Sequence, residues 1–364
     1  MEMLGTLTNR RREVIVRAGQ DNSQVSPLLT ELAELTEWHA RQCPEYKRIL
    51  NVLYPNLTPF ESVADVPFLP VRLFKMLRLA SVPAEDIVKT LTSSGTSSQT
   101  PSRIYLDRPT ALAQSKALIT IVKAYLGTKR LPLAIIDYPG VVSDRNNFSA
   151  RAAGILGFSQ FGRDSIFLLD EHMRLNWTAL DLFLETNAKQ QVFLFGFTAM
   201  IWRHLYQACC EAGRVVDFGD SILIHGGGWK KLVTESVTNE KFKQALTSRL
   251  GIRRVHNYYG MVEQTGSIFM ECERGFFHPS SYSDVIVRDP ISFEVQPFGS
   301  SGLLQLLSSI PRSYPGHSLL TEDMGTIAGE NDCKCGRSGK YFTVEGRMAR
   351  AELRGCSDTQ EEAS

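Results

Sequence analysis

The sequence lacks long apolar runs and carries almost no net charge. Its 364 residues include 40 Lys and Arg against 39 Asp and Glu, so the formal net charge is +1. This balance gives no broad electrostatic attraction to nucleic acid or to an anionic membrane. No stretch approaches the roughly 20 apolar residues needed to cross a bilayer, and residues 1–12 lack the apolar core of a secretory signal. We therefore expect a cytoplasmic protein with no membrane span and no nucleic-acid partner.

Cysteines are present in an odd number, seven, and are scattered along the chain. This pattern lacks the paired spacings of a disulfide framework, and it favours a reducing compartment with metal-binding or reactive thiols. The chain also lacks an internal repeat and the G-x-x-x-x-G-K-[ST] pattern of a Walker loop. We therefore expect neither a repeat architecture nor a Walker-type nucleotide site.

The first part of the chain alternates helix and strand patterns. A helix is predicted over Pro27–Gln42 with Ser26 as its N-cap, and a proline-rich, largely irregular stretch follows. Short apolar runs predict strands at Ile87–Thr92, Pro132–Asp137, Gln191–Phe195, Ile222–His225 and Arg253–Tyr258. Helices are predicted between them, near Pro109–Leu126, Asn147–Leu156, Thr178–Ala188, Thr198–Ala212 and Asn239–Leu250. This alternation indicates an α/β architecture with a largely parallel sheet.

Helix patterns end after about Gly266, where short strands separated by turns are predicted. These strands are Ser267–Glu271, Asp284–Val287, Phe293–Gln296, Gly302–Leu306 and Tyr341–Glu345. They favour a smaller, mostly antiparallel β region. The expected organisation is a helical and irregular region (1–85), an α/β core that binds nucleotide and acid (86–265), a β-rich region that completes the site (266–350) and a mobile tail (351–364).

A segment rich in hydroxyl side chains, Thr92–Ser98, follows the predicted strand at Ile87–Thr92. Small hydroxyl residues around Gly95 can surround phosphate oxygens with backbone N–H and side-chain O–H donors. A surface loop with no ligand has the same composition, so the segment alone leaves both interpretations open.

Two further strand ends carry residues suited to a nucleotide. Gly226–Gly228 follow one strand, and three successive glycines are costly in chain entropy unless a ligand approaches the backbone closely. Tyr259 and Gly260 follow the next strand, with Glu263 shortly after them. An aromatic ring can stack on a purine and a carboxylate can bind the magnesium of ATP. A tight turn before a helix is the alternative for the glycines.

The order of these segments resembles the motif series of the adenylate-forming superfamily. The series consists of Thr92–Ser98, Gly226–Gly228, Tyr259–Glu263, Thr321–Asp323 and Gly346-Arg347. Within the superfamily the chain is most similar to the acyl-protein synthetase family of the bacterial bioluminescence fatty-acid reductase complex. The resemblance extends from about Pro67 to Cys356 and includes the sequence Ala351–Cys356.

The resemblance implies an ATP and Mg²⁺ site and a role for each motif residue. Phosphate contacts would come from Thr92, Ser93, Ser94, Gly95, Thr96 and Ser97. Gly226, Gly227 and Gly228 would line the adenine, Tyr259 beside Gly260 would stack on it, and Glu263 would bind Mg²⁺. Asp323 would bond the ribose hydroxyls, and Arg347 would lie beside the nucleotide. The implied fold is the large adenylate-forming domain, with parallel sheets and helices plus a C-terminal antiparallel β region.

The resemblance also implies an activity, a long-chain fatty-acid–protein ligase. A carboxylic acid would be activated to an acyl-adenylate, passed to Cys356 as a thioester and delivered to an acyl-CoA reductase-like partner. Only 17 residues follow Arg347 (364 − 347), too few for the usual small C-terminal domain with its catalytic lysine. Lys230, next to Lys231 after the glycines, is the expected substitute.

Three cysteines and a histidine form a separate set outside the motif series. Cys272 and His278 precede a predicted turn that contains Cys333 and Cys335. Together they fit a closed tetrahedral zinc site, although the spacings are looser than those of zinc fingers. Four unrelated residues are the equal alternative.

Two other functions fit the same motifs. An acyl- or aryl-CoA ligase would share the Cys333–Arg337 turn, and a non-catalytic nucleotide-binding partner subunit would retain the fold alone. The aromatic stretch Phe193–Phe197 could line a tunnel for the acid, but aromatic residues on a strand are more often core. The pattern leaves the identity of the acid open.

Overall fold

A computed structural model describes residues 26–93, 100–143, 150–229 and 236–348. The described helices are α1 Pro27–Gln42, α2 Pro44–Leu53, α3 Leu73–Met76, α4 Arg108–Leu126, α5 Ala150–Ser159, α6 Trp177–Asn187, α7 Thr198–Met200, α8 Ala208–Glu211 and α9 Asn239–Leu250. A π-helical segment, Ile201–Gln207, joins α7 to α8. Across the described residues, none of the helices combines the length and apolarity that a bilayer crossing requires.

The strands are numbered in the same way. They are β1 Leu69–Pro70, β2 Ile87–Thr92, β3 Arg103–Asp107, β4 Leu131–Ile136, β5 Gly162–Phe167, β6 Val192–Phe197, β7 Ser221–Gly226, β8 Arg254–Tyr259, β9 Phe269–Glu271, β10 Phe277–His278, β11 Ser283–Arg288, β12 Ser301–Ser308, β13 Ser318–Glu330 and β14 Lys340–Arg347.

One sheet of 12 strands runs through the molecule in the order β11-β12-β13-β14-β10-β9-β8-β7-β6-β4-β5, with β1 paired to β13. Strands β5, β4, β6, β7 and β8 pair in parallel, and β8 to β14 pair antiparallel. The predicted fold class, α/β with a parallel sheet and a C-terminal antiparallel β region, is therefore confirmed.

Helices cover both faces of the central parallel strands, and the residues of β4 and β7 are therefore buried on both sides of the sheet. All six residues of β4 are buried, as are all six of β7. On β4, Ala134 and Ile136 pack with residues of α6 and α9, whereas Leu133 and Ile135 pack with residues of α4 and α5. Alternate side chains of a strand point to opposite faces, so the uninterrupted apolar run reports a strand buried on both sides.

The N-terminal helices pack against the antiparallel half of the sheet. Helix α1 spans Pro27–Gln42, as predicted, and its buried side includes Leu32 and His39. Ser26 occupies the N-cap position, but its side chain makes no capping hydrogen bond. Strand β1 pairs in parallel with β13, and Phe74 of α3 is buried beside Tyr314. The segment predicted to be irregular is thus anchored along β13.

One strand prediction is wrong, and another strand lies outside the expected sheet. The strand at Ile87–Thr92 (β2) has the predicted bounds, but it does not belong to the parallel series: among the described residues it pairs with β3 in an antiparallel two-stranded sheet. Phe293–Gln296 is not a strand: Phe293 has φ +60°, and Val295 makes a single isolated bridge to Arg288. A left-handed residue cannot continue an extended strand, so this apolar stretch forms a turn.

Candidate functional site

The carboxyl ends of three parallel strands meet at one edge of the sheet. In the register, Phe197 of β6 lies opposite Gly226 of β7, which lies opposite Tyr258 of β8. The glycines of Gly226–Gly228 and the Tyr259–Gly260 pair therefore leave the sheet side by side. This edge is where open α/β sheets bind ligands.

Each of the three successive glycines has a different reason to be glycine. A Cβ atom on Gly226 would lie 2.4 Å from Cε1 of Tyr258, so the aromatic ring occupies that space. Gly227 has φ +75°, a left-handed conformation that favours glycine. A Cβ on Gly228 would meet nothing within 4 Å among the described residues. The first two are thus explained by the fold itself, and Gly228 borders open space.

Buried polar contacts fix the start of the glycine segment. The hydroxyl of Thr198 lies 2.9 Å from Nδ1 of His225 and 3.2 Å from the carbonyl oxygen of Gly226, to which it donates. Burial lowers the pKa of His225 to about 3, so this imidazole is neutral. Thr198 and His225 thereby tie the ends of β6 and β7 together.

Tyr259 is held between an aromatic cluster and an acid. Its ring centroid lies 6.1 Å from that of Phe277 and 6.4 Å from that of Phe342, and its phenolic oxygen donates a 2.7 Å hydrogen bond to Oδ2 of Asp323. Burial and then the Asp323 carboxylate raise the pKa of Tyr259 well above its ordinary value. The phenol therefore remains protonated as the donor, and one oxygen of Asp323 has a fixed direction.

Asp323 and Arg347 lie opposite each other on β13 and β14. The Nε atom of Arg347 is 3.9 Å from Oδ1 of Asp323, and 63% of the arginine side chain is exposed. The hydroxyl of Thr321 accepts the backbone N–H of Asp323 at 3.1 Å and donates to the carbonyl of Leu304 at 2.9 Å. The motif Thr321–Asp323 thus presents one acid beside an exposed cation.

Glu263 is a buried carboxyl group with cations nearby. It lies in the 3₁₀ turn Val262–Gln264 and is 6% exposed. Burial raises the pKa of Glu263, and Ser102, Lys75 and Arg347 oppose this rise. The fold thus desolvates this carboxyl group, and the nearby positive charges favour its ionised form.

Several buried polar atoms lie around Glu263. Oγ of Ser102 lies near the Glu263 carboxyl and Oη of Tyr314 lies near Gln114, although neither oxygen has the geometry of a direct hydrogen bond to any of the described residues. A Cβ on Gly316 would lie 2.7 Å from the Glu263 carbonyl oxygen and 2.3 Å from the Tyr314 ring, so the three residues are in close contact. Unpaired buried polar atoms are costly, and a bound ion with its water would satisfy them.

The hydroxyl-rich segment begins at the base of the β2–β3 hairpin. The backbone N–H of Ser102 donates to Oγ of Ser93 at 2.9 Å, and the N–H of Ser93 donates to the carbonyl of Ser102 at 3.2 Å. Because Ser102 also lies beside Glu263, the hairpin starts next to the buried acid. Thr92 and Ser93 are therefore close to Glu263, whereas Ser94, Gly95, Thr96 and Ser97 lie outside the described residues.

Comparison with known proteins identifies the family. The family model described as "Acyl-protein synthetase, LuxE" matches residues 21–364. The chain belongs to this family. It is therefore a ligase of the acyl-protein synthetase type, and the resemblance inferred from the motifs is confirmed.

Two curated relatives carry the name long-chain-fatty-acid–luciferin-component ligase. The Vibrio harveyi protein is 22% identical over 313 residues, which cover 83% of this chain and 79% of that protein. The Aliivibrio fischeri protein is 25% identical over 273 residues, which cover 73% and 70% of the two chains. The predicted class of enzyme, a fatty-acid ligase, agrees with both names.

Solved structures of 2-hydroxyisobutyryl-CoA ligase share the fold. The open form in complex with 2-HIB-AMP and CoA has a TM-score of 0.66 at 17% identity, covering 87% of this chain and 73% of that chain. The postadenylation form with 2-HIB-AMP also has a TM-score of 0.66 at 17% identity, with 93% and 70% covered. At this identity the likeness concerns the fold alone, and it agrees with the adenylate-forming architecture expected from the motifs.

The cysteines and the histidine of the predicted metal site lie together. The ligand atoms of Cys272, His278, Cys333 and Cys335 are all within 4.8 Å of one another. Phe193 and Phe195 are buried in the core, which is the more frequent role of aromatic residues on a strand. Lys230, Lys231 and Cys356 lie outside the described residues.

Lys75 is a cation near the candidate site that the sequence interpretation missed. It follows Phe74 on α3, and its positive charge acts on Glu263. The neighbouring Arg72 makes a 2.6 Å ion pair with Glu322, which adjoins Asp323. The proline-rich segment around α3 matched no motif, and the electrostatic effect of Lys75 on Glu263 becomes visible only in the folded structure.

Proposed function

We propose that the protein activates a fatty acid with ATP, transfers the acyl group to Cys356 and delivers it to an acyl reductase partner. The observation that supports this proposal is a series of electrostatic interactions and hydrogen bonds that link the motif residues. The positive charge of Arg347 lowers the pKa of Glu263, and the Arg347 guanidinium lies 3.9 Å from the Asp323 carboxylate. Asp323 in turn accepts a hydrogen bond from the hydroxyl of Tyr259. Residues separated by many positions along the chain thus converge on one edge of the sheet.

In this proposal the nucleotide lies across the ends of β7, β8 and β13. Adenine occupies the open space beside Gly228, next to Tyr259. The ribose hydroxyls donate to Asp323, whose carboxylate is oriented by Tyr259 and flanked by Arg347. The segment that starts at Thr92 and Ser93 donates to the phosphates. An exposed arginine and a carboxylate of fixed direction provide the donor and acceptor that such a ligand requires.

Glu263 is the residue that would hold Mg²⁺. Mg²⁺ binds oxygen ligands and keeps several waters, and the buried hydroxyl oxygens of Ser102 and Tyr314 near Glu263 could accept hydrogen bonds from those waters. When bound, Mg²⁺ would neutralise charge on the phosphates of ATP. Lys75 adds a second positive charge on the same side of Glu263, which favours anionic phosphate there.

The first step joins the acid to AMP. A carboxylate oxygen of the fatty acid attacks the α-phosphorus of ATP, the bond from that phosphorus to the bridging oxygen breaks, and pyrophosphate leaves with the electron pair. The protein's part is orientation and electrostatic stabilisation by Lys75, Arg347 and the hydroxyl-rich segment. The acyl-adenylate is a mixed anhydride and must be kept from water.

The second step moves the acyl group to sulfur. The Cys356 thiolate attacks the acyl carbonyl carbon, the carbon–oxygen bond to AMP breaks, and AMP leaves with the electron pair. The resulting thioester is a substrate for an acyl-CoA reductase-like partner. The names of the two curated relatives support a long-chain fatty acid as substrate.

A second candidate is a CoA ligase, in which CoA accepts the acyl group instead of Cys356. The likeness to the fold of 2-hydroxyisobutyryl-CoA ligase, solved in complex with CoA, favours including it. The two candidates share the adenylation step and differ only in the acceptor thiol.

The experiment is an ATP–pyrophosphate exchange assay with a panel of fatty and aromatic acids, followed by labelling with radioactive acid. We expect exchange that depends on a fatty acid and covalent label on the protein. The label should disappear in Cys356→Ser and persist in the control Cys210→Ser, with exchange unchanged in both variants. Acyl-CoA formation without protein label would identify the CoA ligase, and absence of exchange with every acid would refute acid activation.

A further inference from the structure

Two turns that are far apart in the sequence bring four metal-ligating side chains together. Cys272 and His278 bracket the connection between β9 and β10, and Cys333 and Cys335 lie on the connection between β13 and β14. Their ligand atoms lie within 4.8 Å of one another. We propose that these four residues bind a structural Zn²⁺ ion.

The distances suit tetrahedral zinc. With Zn–S near 2.3 Å and Zn–N near 2.0–2.1 Å, neighbouring ligand atoms in a tetrahedron are separated by about 3.5–3.8 Å. Sγ of Cys335 lies 3.4 Å from Nε2 of His278. Three thiolates and an imidazole are also the ligand types that zinc prefers over harder cations.

Both turns direct a backbone N–H group at a sulfur atom. The N–H of Arg274 donates to Sγ of Cys272 at 3.4 Å, and the N–H of Arg337 donates to Sγ of Cys335 at 3.5 Å. In each case the donor is two residues after the cysteine. Hydrogen bonds of this kind favour the thiolate that a metal requires and fix the direction of its lone pairs.

The two turns also share their backbone geometry. The N–H of Gly275 donates to the carbonyl of Cys272 at 3.0 Å, and the N–H of Gly336 donates to the carbonyl of Cys333 at 2.9 Å. The two glycines have φ +82° and +81°, so each closes its turn in a conformation that favours glycine. Two segments that are far apart in the sequence thus form the same type of turn on either side of the four side chains. A shared ligand explains this similarity, whereas four functionally unrelated residues would not need it.

The orientation of His278 brings one ring nitrogen to the thiols. His278 is buried, and its ring stacks on Tyr341 with the centroids 6.0 Å apart. Its Nε2 atom faces Cys335, and the three cysteines around it are free thiols rather than disulfides. A buried imidazole directed at unpaired thiols is satisfied by a shared ion.

Four protein ligands close the coordination sphere, so the ion would be structural rather than catalytic. It would join the β9–β10 and β13–β14 connections, between which Phe277 and Phe342 are paired. The same two rings support Tyr259. If the proposed nucleotide site is correct, zinc also stabilises the aromatic wall behind Tyr259 and Asp323, and this second consequence rests on the proposed function.

The test is the metal content of the full-length protein purified without added zinc and without chelator, measured by mass spectrometry. We expect about one zinc per chain in the native protein and in the control Cys210→Ser, and loss of zinc in Cys333→Ser and Cys335→Ser. Removal of zinc from the native protein by a chelator should lower its thermal midpoint by on the order of 10 °C, and added Zn²⁺ should restore it.

The chelator experiment keeps the proposal testable if the serine variants fail to fold. Cobalt added to the stripped native protein should give the visible absorption of a tetrahedral thiolate site. Native protein without zinc that gains no stability from Zn²⁺, a Cys333–Cys335 disulfide in its place, or full zinc content in both serine variants would overturn the proposal. None of these measurements depends on ATP, so their failure is distinct from a failure of pyrophosphate exchange.

Discussion

Tyr259 and Asp323 are separated by 64 positions in the sequence, and a 2.7 Å hydrogen bond joins them across the sheet. The bond connects the end of the last parallel strand to the antiparallel half of the molecule. Because the phenol is a donor to a carboxylate, it fixes the direction of the acid that we assign to the ribose.

Removing this donor should weaken nucleotide binding. In Tyr259→Phe the ring remains packed on Phe277 and Phe342, but Asp323 loses its orienting bond. A hydrogen bond to a charged group contributes about 1.5–3 kcal/mol, so we expect the Kd for ATP to rise on the order of tenfold or more. Calorimetric titration measures the change, and Tyr282→Phe, on the β10–β11 connection, is the control. Equal affinity in Tyr259→Phe and the native protein would exclude this role for the bond.

The glycine segment provides a matched pair of substitutions. Gly226→Ala places a Cβ 2.4 Å from Tyr258, so it should lower the free energy of unfolding by about 1–3 kcal/mol. Gly228→Ala meets nothing within 4 Å among the described residues, so its stability should stay within about 0.5 kcal/mol of native. ATP affinity should nevertheless fall on the order of tenfold in Gly228→Ala, because the methyl group enters the space assigned to adenine. Urea unfolding and ATP titration separate the effects, and native affinity in Gly228→Ala would place adenine elsewhere.

Lys75→Ala should slow adenylation without unfolding the protein. Loss of a positive charge beside the phosphates should reduce kcat/KM for pyrophosphate exchange on the order of a hundredfold. Because Lys75 lowers the pKa of Glu263, its removal raises that pKa further and should shift the acid limb of the pH profile to higher pH. The exposed Lys116 of α4 gives the control, Lys116→Ala. An unchanged rate together with an unchanged acid limb would remove Lys75 from the site.

The protein should lose stability as the pH falls below 6.5. His39 and His317 are buried and stacked, with ring centroids 5.0 Å apart. Burial lowers the pKa of both, that of His317 to about 3, whereas each titrates near 6.5 when unfolded. The unfolded chain therefore binds more protons between these values, so the stability is complete above about pH 6.5 and declines below it.

For each such histidine, the free energy of unfolding should fall by about 1 kcal/mol when the pH is lowered from 7.5 to 5.5. In His317→Gln, an amide can still reach Thr36, and the loss over this range should shrink by about that amount, as measured by urea unfolding at the two pH values. His172→Gln alters an exposed histidine and should keep the native pH dependence. The same loss in His317→Gln as in the native protein would show that His317 titrates normally.

The sequence was most informative where local signals agreed with the fold. Helix α1 was predicted to the residue because a proline start and a regular apolar stripe define it. Strand β13 was missed because Gly325 and Gly329 interrupt its pattern, and both lie at register shifts against β14. Strand β5 was missed because it lies at the edge of the sheet, where Arg163, Asp164 and Ser165 are exposed. A hydrophobic pattern in the sequence reflects the burial of a strand. Strand prediction from this pattern therefore fails where the strand is exposed or contains a bulge.

The sequence allowed prediction of which motifs form the candidate site, but it did not allow prediction of how their side chains are arranged in space. Strand-end residues such as Gly226 and Glu263 were recognised from their order along the chain. The contacts of Lys75 and Ser102 with Glu263 depend on how α3 and the β2–β3 hairpin pack, and no local pattern encodes these contacts. The proposed zinc ligands were predicted in part. Their residue types suggested a metal site in the sequence, but only the structure shows that the four side chains lie close together.

The unbroken sheet has a consequence for how substrates enter and products leave. One backbone ladder runs through β8 and β9 and joins the parallel and antiparallel halves. A hinge motion of one half against the other would break these ladder bonds. Under the proposed function, we therefore expect passage of fatty acid, pyrophosphate and AMP to depend on the segments that connect the strands at their ends, and not on a hinge between the two halves of the sheet.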